Sequence, residues 1–251
     1  APVNEWLMEQ LIMVDALKRA SAKRITVVAP CFPYARQDKK HLGREPISAR
    51  LVSDLFRTAG ADRIMSVDLH AAQIQGFFNG PLDHLSGLPV LADYVEKKYG
   101  GDDMVVVSPD AGRVRLADNW SDRLTVPLAI IHKRHDPTKA NQVKVHEVVG
   151  DVEGRTCLLV DDMIDTGGTI CQAANALLDR GAAKVIACAT HPILSGPAQE
   201  RLNETPFEEI IFTSTLPIPE GIDIPKMTVL SIAPLLARAI REVFEDGSVT
   251  S

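Results

Sequence analysis

The segment from Asp161 to Thr169 (DDMIDTGGT) gathers three carboxylates, two hydroxyls and a glycine pair. Gly167 and Gly168 let the backbone approach an anion closely, and the helix that follows exposes amide groups at its start. Thr166 and Thr169 add hydroxyl donors to that cradle. Asp161 and Asp162 stand just before it, where they would repel a phosphate, so they make sense as partners for ribose hydroxyls or for a magnesium ion. An ordinary capped strand–turn–helix connection would not call for Asp161, Asp162 and Asp165 together.

Polar, charged and Gly-rich residues collect in four further places, each directly after a short apolar run. These are Pro30 to Lys40 (PCFPYARQDKK), Asp68 to Gln73 (DLHAAQ), Ser108 to Arg113 (SPDAGR) and Thr190 to Pro197 (THPILSGP). In open parallel sheets, ligands bind beyond the carboxyl ends of the strands, and these segments have that placement.

The elements that must position them follow from periodicity. Asn4 is expected to cap a helix running to about Ala20, with Leu7, Met8, Leu11 and Ile12 on one face. Ile25 to Ala29 is too short for a helix and β-branched, which predicts a buried strand. The alternation continues with helices at about 47–58, 90–98, 169–180 and 234–244, and strands at 63–67, 104–107, 128–131, 157–160, 184–189, 209–213 and 229–232. Such alternation predicts an α/β protein with largely parallel sheets flanked by helices. Turn signals at Gly80-Pro81 and Ser86-Gly87 place a boundary near residue 87, giving two α/β domains, 1–87 and 88–251.

Composition narrows the function classes. With 27 Lys+Arg against 33 Asp+Glu and a net charge of −6, a general nucleic-acid or anionic-membrane surface is not expected. No apolar run has the length of a membrane span, and no signal peptide is visible. Cys31, Cys157, Cys171 and Cys188 lack metal-ligand spacing and read as small buried hydrophobes, which suits a reducing cytoplasm. The chain opens at Ala1-Pro2 without Met and enters a helical pattern at once, so the N-terminus is expected to lie upstream.

The 161–169 segment resembles the phosphoribosyl-binding loop shared by type I phosphoribosyltransferases and phosphoribosyl pyrophosphate synthetases, and alone it does not choose between them. Cys31 to Lys40 is similar to the synthetases' ATP-binding motif, and Asp68 to Phe78 (DLHAAQIQGFF) to their metal-binding motif. Ordinary phosphoribosyltransferases have no matching pair. The resemblance extends to SPDAG at 108–112 and THPILSGPA at 190–198, so the chain resembles the synthetase family along nearly its whole length.

That resemblance implies two phosphoribosyltransferase-like domains and transfer of a diphosphate from MgATP to ribose 5-phosphate in nucleotide biosynthesis. It implies ATP contacts at Arg36, Gln37, Asp38 and Lys39, magnesium-linked residues at His70 and Asp110, and a ribose 5-phosphate site at Asp161, Asp162, Asp165, Thr166, Gly167, Gly168 and Thr169. An Arg suits its place physically, as a fixed fork for phosphate oxygens or a flat face for an adenine ring. Magnesium prefers oxygen ligands, so His70 would act unusually or through water. The resemblance also implies a homo-oligomer, usually a hexamer built from dimers.

The catalytic loop departs from the pattern. In the family a Lys and an Arg two positions later steady the migrating diphosphate; Lys133 matches the Lys, but two positions on stands His135, with Arg134 between. Either Arg134 serves through a shifted register or His135 takes part, a protonated His helping only partially near neutral pH. Arg113, where many relatives carry a second Gly, is a milder departure. The alternatives to the synthetase reading are a phosphoribosyltransferase acting on a base, against which 31–40 argues, and a non-catalytic regulatory relative. A piece lacking the N-terminal acidic segment that in the family reaches a neighbouring subunit's ATP site would also be inactive.

Overall fold

The computed structural model describes residues 2–40, 42–101, 103–135 and 144–245, with the side chains of 133–135 and 144–146 outside that description. The elements run α1 (Val3–Arg19), β1 (Thr26–Val28), α2 (Ser48–Ala59), β2 (Arg63–Val67), β3 (Leu82–Leu85), α3 (Leu88–Tyr99), β4 (Met104–Ser108), α4 (Val114–Leu124) and β5 (Leu128–His135). They continue with β6 (Lys144–Val149), β7 (Thr156–Ile164), α5 (Gly168–Asp179), β8 (Lys184–Pro192), α6 (Ala198–Glu204), β9 (Glu209–Thr213), β10 (Met227–Leu230) and α7 (Ala233–Phe244).

The chain divides into two compact units, one drawn from Ala1–Gly87 with Pro234–Ser251, the other from Leu88–Ala233. The segment from Pro234 was expected with the second half; it groups instead with the first. Within that unit Arg24 donates to the Phe244 carbonyl at 3.3 Å and lies 5.8 Å from the centre of that ring.

In the first unit β1, β2 and β3 form a parallel sheet in chain order. Its core includes Phe56, Ile64, Ile74 and Phe78, with Val14 inserted from α1. Helix α1 begins at Val3 rather than after a capping Asn4, whose carboxamide oxygen instead accepts from the Tyr34 hydroxyl. That bond ties the helix to the 30–40 loop.

The second unit holds a seven-stranded sheet in the order β10-β9-β8-β7-β4-β5-β6, parallel except for the β5–β6 pair. Its central strands read as continuous apolar runs because both faces are covered. Val105, Val107, Leu159 and Phe212 face one core with Ile170 and Leu177 of α5. Val106, Leu158, Val160 and Ile211 face the other, with Leu91 of α3 and Trp120 of α4. All four cysteines are free thiols, and Cys157, Cys171 and Cys188 are buried as expected of small hydrophobes. Among the described residues no helix is long and apolar enough to cross a membrane.

Strand order decides where a ligand can sit on this sheet. The chain lays β5 on one side of β4 and then crosses to place β7 on the other, so the direction of winding reverses between β4 and β7. A crevice opens at such a reversal, beyond the carboxyl ends of the two strands.

Candidate active site

The carboxyl ends of β4 and β7 carry SPDAGR and DDMIDTGGT to that crevice. Val107 is level with Leu159 across the pair, so Ser108 and Asp110 leave β4 beside the acids of β7. The Ser108 hydroxyl donates to the Asp110 carbonyl at 2.7 Å, and Asp110 Oδ1 accepts from the Gly112 amide at 2.8 Å. These two bonds set a single 3-10 turn, Ala111–Arg113, from which α4 starts.

Strand β7 runs further than expected, to Ile164, and therefore contains both Asp161 and Asp162. Asp162 is buried and its amide donates to Asp161 Oδ1 at 2.8 Å. Arg113 meets both acids, with Nε 3.0 Å from Asp161 Oδ1 and a terminal nitrogen 3.0 Å from Asp162 Oδ1. Burial pushes the Asp161 carboxyl well above the ordinary carboxylate range; neighbouring Asp162 adds to this, and Arg113 opposes it. An acid pair held this way suits a ligand that forms hydrogen bonds to it.

Beyond β7 the turn is built around Gly167, whose φ of 73° is the left-handed region that a side chain would strain. Helix α5 begins at Gly168, so the first-turn amides lack partners within the helix and point toward an incoming anion. Asp165 is fastened from the side: its carbonyl accepts from the Ser195 amide at 3.0 Å and its carboxylate from the Ser195 hydroxyl. Arg201 donates to the Thr166 carbonyl at 3.0 Å, and a Cβ added to Gly168 would lie 3.2 Å from the same guanidinium. Thr166 is exposed and Thr169 half-buried at the mouth of this cradle. The seven residues expected to hold ribose 5-phosphate thus lie within one nine-residue segment that ends β7 and opens α5.

The first unit brings its two expected segments together in the same fashion. The 30–40 loop leaves β1 and the 68–78 segment leaves β2, its parallel neighbour. Asp38 is 6% exposed and its carboxylate takes the Gln73 amide, so it joins the two segments, whereas Arg36, Gln37 and Lys39 are exposed. Asp68 adopts a φ of 40° and its carboxylate accepts from the Gly87 amide at 3.0 Å. The next amide, Leu69, donates to His84 Nε2 at 2.9 Å, which requires that nitrogen to be unprotonated. Burial lowers the His84 pKa, against the raising effect of Asp68. His70 comes next along the chain, half-buried.

Among the described residues, no three His, Cys, Asp or Glu side chains converge as a cage for a metal ion. Magnesium does not require one, since it keeps several waters and is commonly bound through one or two protein groups plus substrate phosphates. Lys133, Arg134 and His135 are placed by backbone alone, on β5 in antiparallel register with His146, Val145 and Lys144; their side chains lie outside the described residues.

Sequence reasoning missed Gln73, His84, Ser195 and Arg201 as supports, and saw Arg113 only as a departure. Ser195 and Gln73 lay inside quoted segments, but nothing in their spacing announces a partner about thirty residues away.

A parallel sheet with acids and a Gly-Gly cradle at its winding reversal defines a strand-end binding site of the doubly wound α/β class. Residues 1–60 match the family model for the N-terminal domain of ribose phosphate pyrophosphokinase, and residues 137–251 match the phosphoribosyl synthetase-associated domain. The chain is 67% identical over 251 residues to a ribose-phosphate pyrophosphokinase of Streptomyces avermitilis, covering 100% of this chain and 78% of that relative. A ribose-phosphate pyrophosphokinase of Mycobacterium tuberculosis is 64% identical over 251 residues, covering 100% of this chain and 77% of the relative. The crystal structure of phosphoribosylpyrophosphate synthetase from Mycobacterium smegmatis superposes with a TM-score of 0.92 at 61% identity, covering 98% of this chain and 80% of that one. The chain belongs to the ribose-phosphate pyrophosphokinase family.

Proposed function

We propose that the chain transfers the β,γ-diphosphate of MgATP to the C1 hydroxyl of ribose 5-phosphate, giving 5-phosphoribosyl 1-diphosphate and AMP for nucleotide biosynthesis. The C1 oxygen attacks the β-phosphorus and its proton passes to solvent; the bond from that phosphorus to the α,β-bridging oxygen breaks, and the oxygen leaves with AMP. The observation that carries this reading is the acid pair and Gly-Gly cradle together at the β4–β7 reversal, on a chain of this family.

Such a transfer asks little covalent chemistry of the protein. It asks that two reactants be held in line and that charge be balanced. The Thr166–Thr169 amides and hydroxyls hold the 5-phosphate, while Asp161 and Asp162 accept from ribose hydroxyls and fix the sugar's rotation. Arg36, Gln37 and Lys39 contact ATP, and Asp38 positions the loop that carries them through Gln73. His70 in the first unit and Asp110 in the second would each serve as a magnesium-linked residue, and the ion when bound would supply charge neutralisation for the phosphate oxygens.

Lys133 steadies the migrating diphosphate. Its companion is Arg134 or His135, the two candidates that follow it on β5. The protein works in the cytoplasm as a homo-oligomer, a hexamer built from dimers.

The test is AMP formation by the full-length protein with ATP, magnesium and ribose 5-phosphate, beside Lys133→Ala. AMP that appears only with ribose 5-phosphate, and falls by at least about a hundredfold in the variant, is the expected result. No AMP despite binding of either substrate would mean a regulatory relative.

A further inference from the structure

Arg113 meets the acid pair of the ribose 5-phosphate site with two different nitrogens. Its Nε lies 3.0 Å from Asp161 Oδ1 and a terminal nitrogen 3.0 Å from Asp162 Oδ1. The three side chains are 21%, 15% and 6% exposed, so water screens these contacts only weakly. Consecutive strand residues ordinarily point to opposite faces. Here the Asp162 amide bends the Asp161 carboxylate back along the chain, with a 2.8 Å bond, and so brings both acids within reach of one guanidinium. The reach from the other side is fixed too, because Arg113 ends the turn that Ser108, Asp110 and Gly112 lock. A lysine offers a single nitrogen and cannot stand against both carboxylates in this way.

The arrangement resolves a conflict within the site. Two carboxylates immediately before a phosphate cradle repel the ligand that the cradle is shaped for. A cation shared between them cancels part of that repulsion without occupying the cradle, where Arg201 already adds positive charge beside Gly168.

We propose that Arg113 is a positioning residue for ribose 5-phosphate: it holds Asp161 and Asp162 in one arrangement for the sugar hydroxyls and offsets their repulsion of the 5-phosphate. This rests on the reading of 161–169 as the ribose 5-phosphate site. It touches the acids rather than the reacting atoms, so its effect belongs in binding of one substrate.

The experiment compares Arg113→Gln, Arg113→Lys and Thr166→Val with the full-length wild type. It reads KM for each substrate, kcat, calorimetric Kd for ribose 5-phosphate and the thermal midpoint. For Arg113→Gln the expected result is a rise of about tenfold to a hundredfold in KM and Kd for ribose 5-phosphate, the scale of a lost, poorly screened ion pair, with KM for ATP unchanged. Arg113→Lys, which keeps charge and bulk, recovers part of this loss and carries the comparison if the Gln variant melts early. Equal loss toward both substrates, or wild-type affinity for ribose 5-phosphate in both Arg113 variants, overturns the proposal. If Thr166→Val weakens ribose 5-phosphate binding while the Arg113 variants do not, Arg113 alone has been misassigned. If Thr166→Val leaves that binding intact, the ribose 5-phosphate reading falls, and this proposal with it.

Discussion

Glu209 and Asp161 sit on the same sheet, separated by one strand, and both are mostly hidden from water, yet they are treated in opposite ways. Glu209 opens β9 and so lies at the amino end of the sheet, whereas Asp161 lies near the carboxyl end of β7. Around Glu209 the donors are Tyr94 at 2.7 Å, Tyr99 at 2.6 Å, Thr228 at 2.5 Å and Lys98 at 3.0 Å. Burial alone would raise its pKa; Thr228, Tyr99, Tyr94 and Lys98 outweigh burial and lower it. Asp161 instead shares Arg113 with a second acid, and its pKa is raised. Being hidden from water therefore does not by itself set an acid's role. The acid whose charge is matched by fixed donors stabilises the fold, and the acid left short of donors is suited to a ligand that brings its own.

The largest expected effect tests the first half of this contrast. Glu209→Ala strands two tyrosine hydroxyls and a threonine hydroxyl around a small void and leaves the half-exposed Lys98 ammonium to water. Unfolding stability should fall by about 3–5 kcal/mol, the range for breaking a buried charged network by removing one partner. Urea or thermal unfolding measures it. The KM for ribose 5-phosphate in whatever fraction remains folded should not move, and a selective change in that KM would erase the distinction between the two acids.

Asp161→Asn tests the second half and should show the reverse pattern. The KM for ribose 5-phosphate rises, while stability at neutral pH holds or increases by about 1 kcal/mol, the scale of one pKa unit. The sign comes from linkage. A carboxyl whose folded pKa is raised keeps its proton when the unfolded chain, near 3.8, has lost it, so stability declines as pH climbs from there through the folded value. The Asn variant has no such decline. A variant that unfolds more readily at pH 7 than the wild type would show that Asp161 serves the fold after all.

How much of the molecule was readable from its residues alone depends on whether a signal is local. The alternation of apolar strands and amphipathic helices announced the α/β class, and the five strand-end segments announced where chemistry collects, because both signals are contained in short windows. Strand β3 (Leu-Asp-His-Leu) was lost among turn residues, since four positions with two apolar ones resemble a loop. Helix α4 was lost because Arg113 to Leu124 is dominated by charge, with Ala117 and Trp120 alone fully buried. β7 was drawn too short because acids were taken to end it, although a strand at a binding edge can carry them. Asp38 was grouped with the nucleotide contacts around it; only its pairing with Gln73, 35 residues away, shows that it faces inward. The placement of Pro234 onward with the first unit was likewise invisible, because contacts such as Arg24 to Phe244 join residues 220 positions apart.

The smallest expected effect moves Glu209 a step toward the condition of Asp161. Tyr99→Phe keeps the ring and removes one donor from the Glu209 carboxylate. The cost should be about 1–1.5 kcal/mol at neutral pH, the net worth of one such hydrogen bond and less than the loss on removing the carboxylate itself. Its pH dependence is more informative than its size. Glu209 has a depressed folded pKa, so its contribution is present above the unfolded value of 4.5 and is lost as pH falls through the folded value. With one donor gone the folded value moves upward toward 4.5, and the stability difference from wild type should narrow as pH drops below that point. If the difference stays constant through the acid range, the lost hydroxyl was contributing packing rather than charge stabilisation. The saturated network around Glu209 would then be a consequence of close packing at the amino end of the sheet, and donor supply would no longer separate the acid that holds the fold from the acid that awaits a ligand.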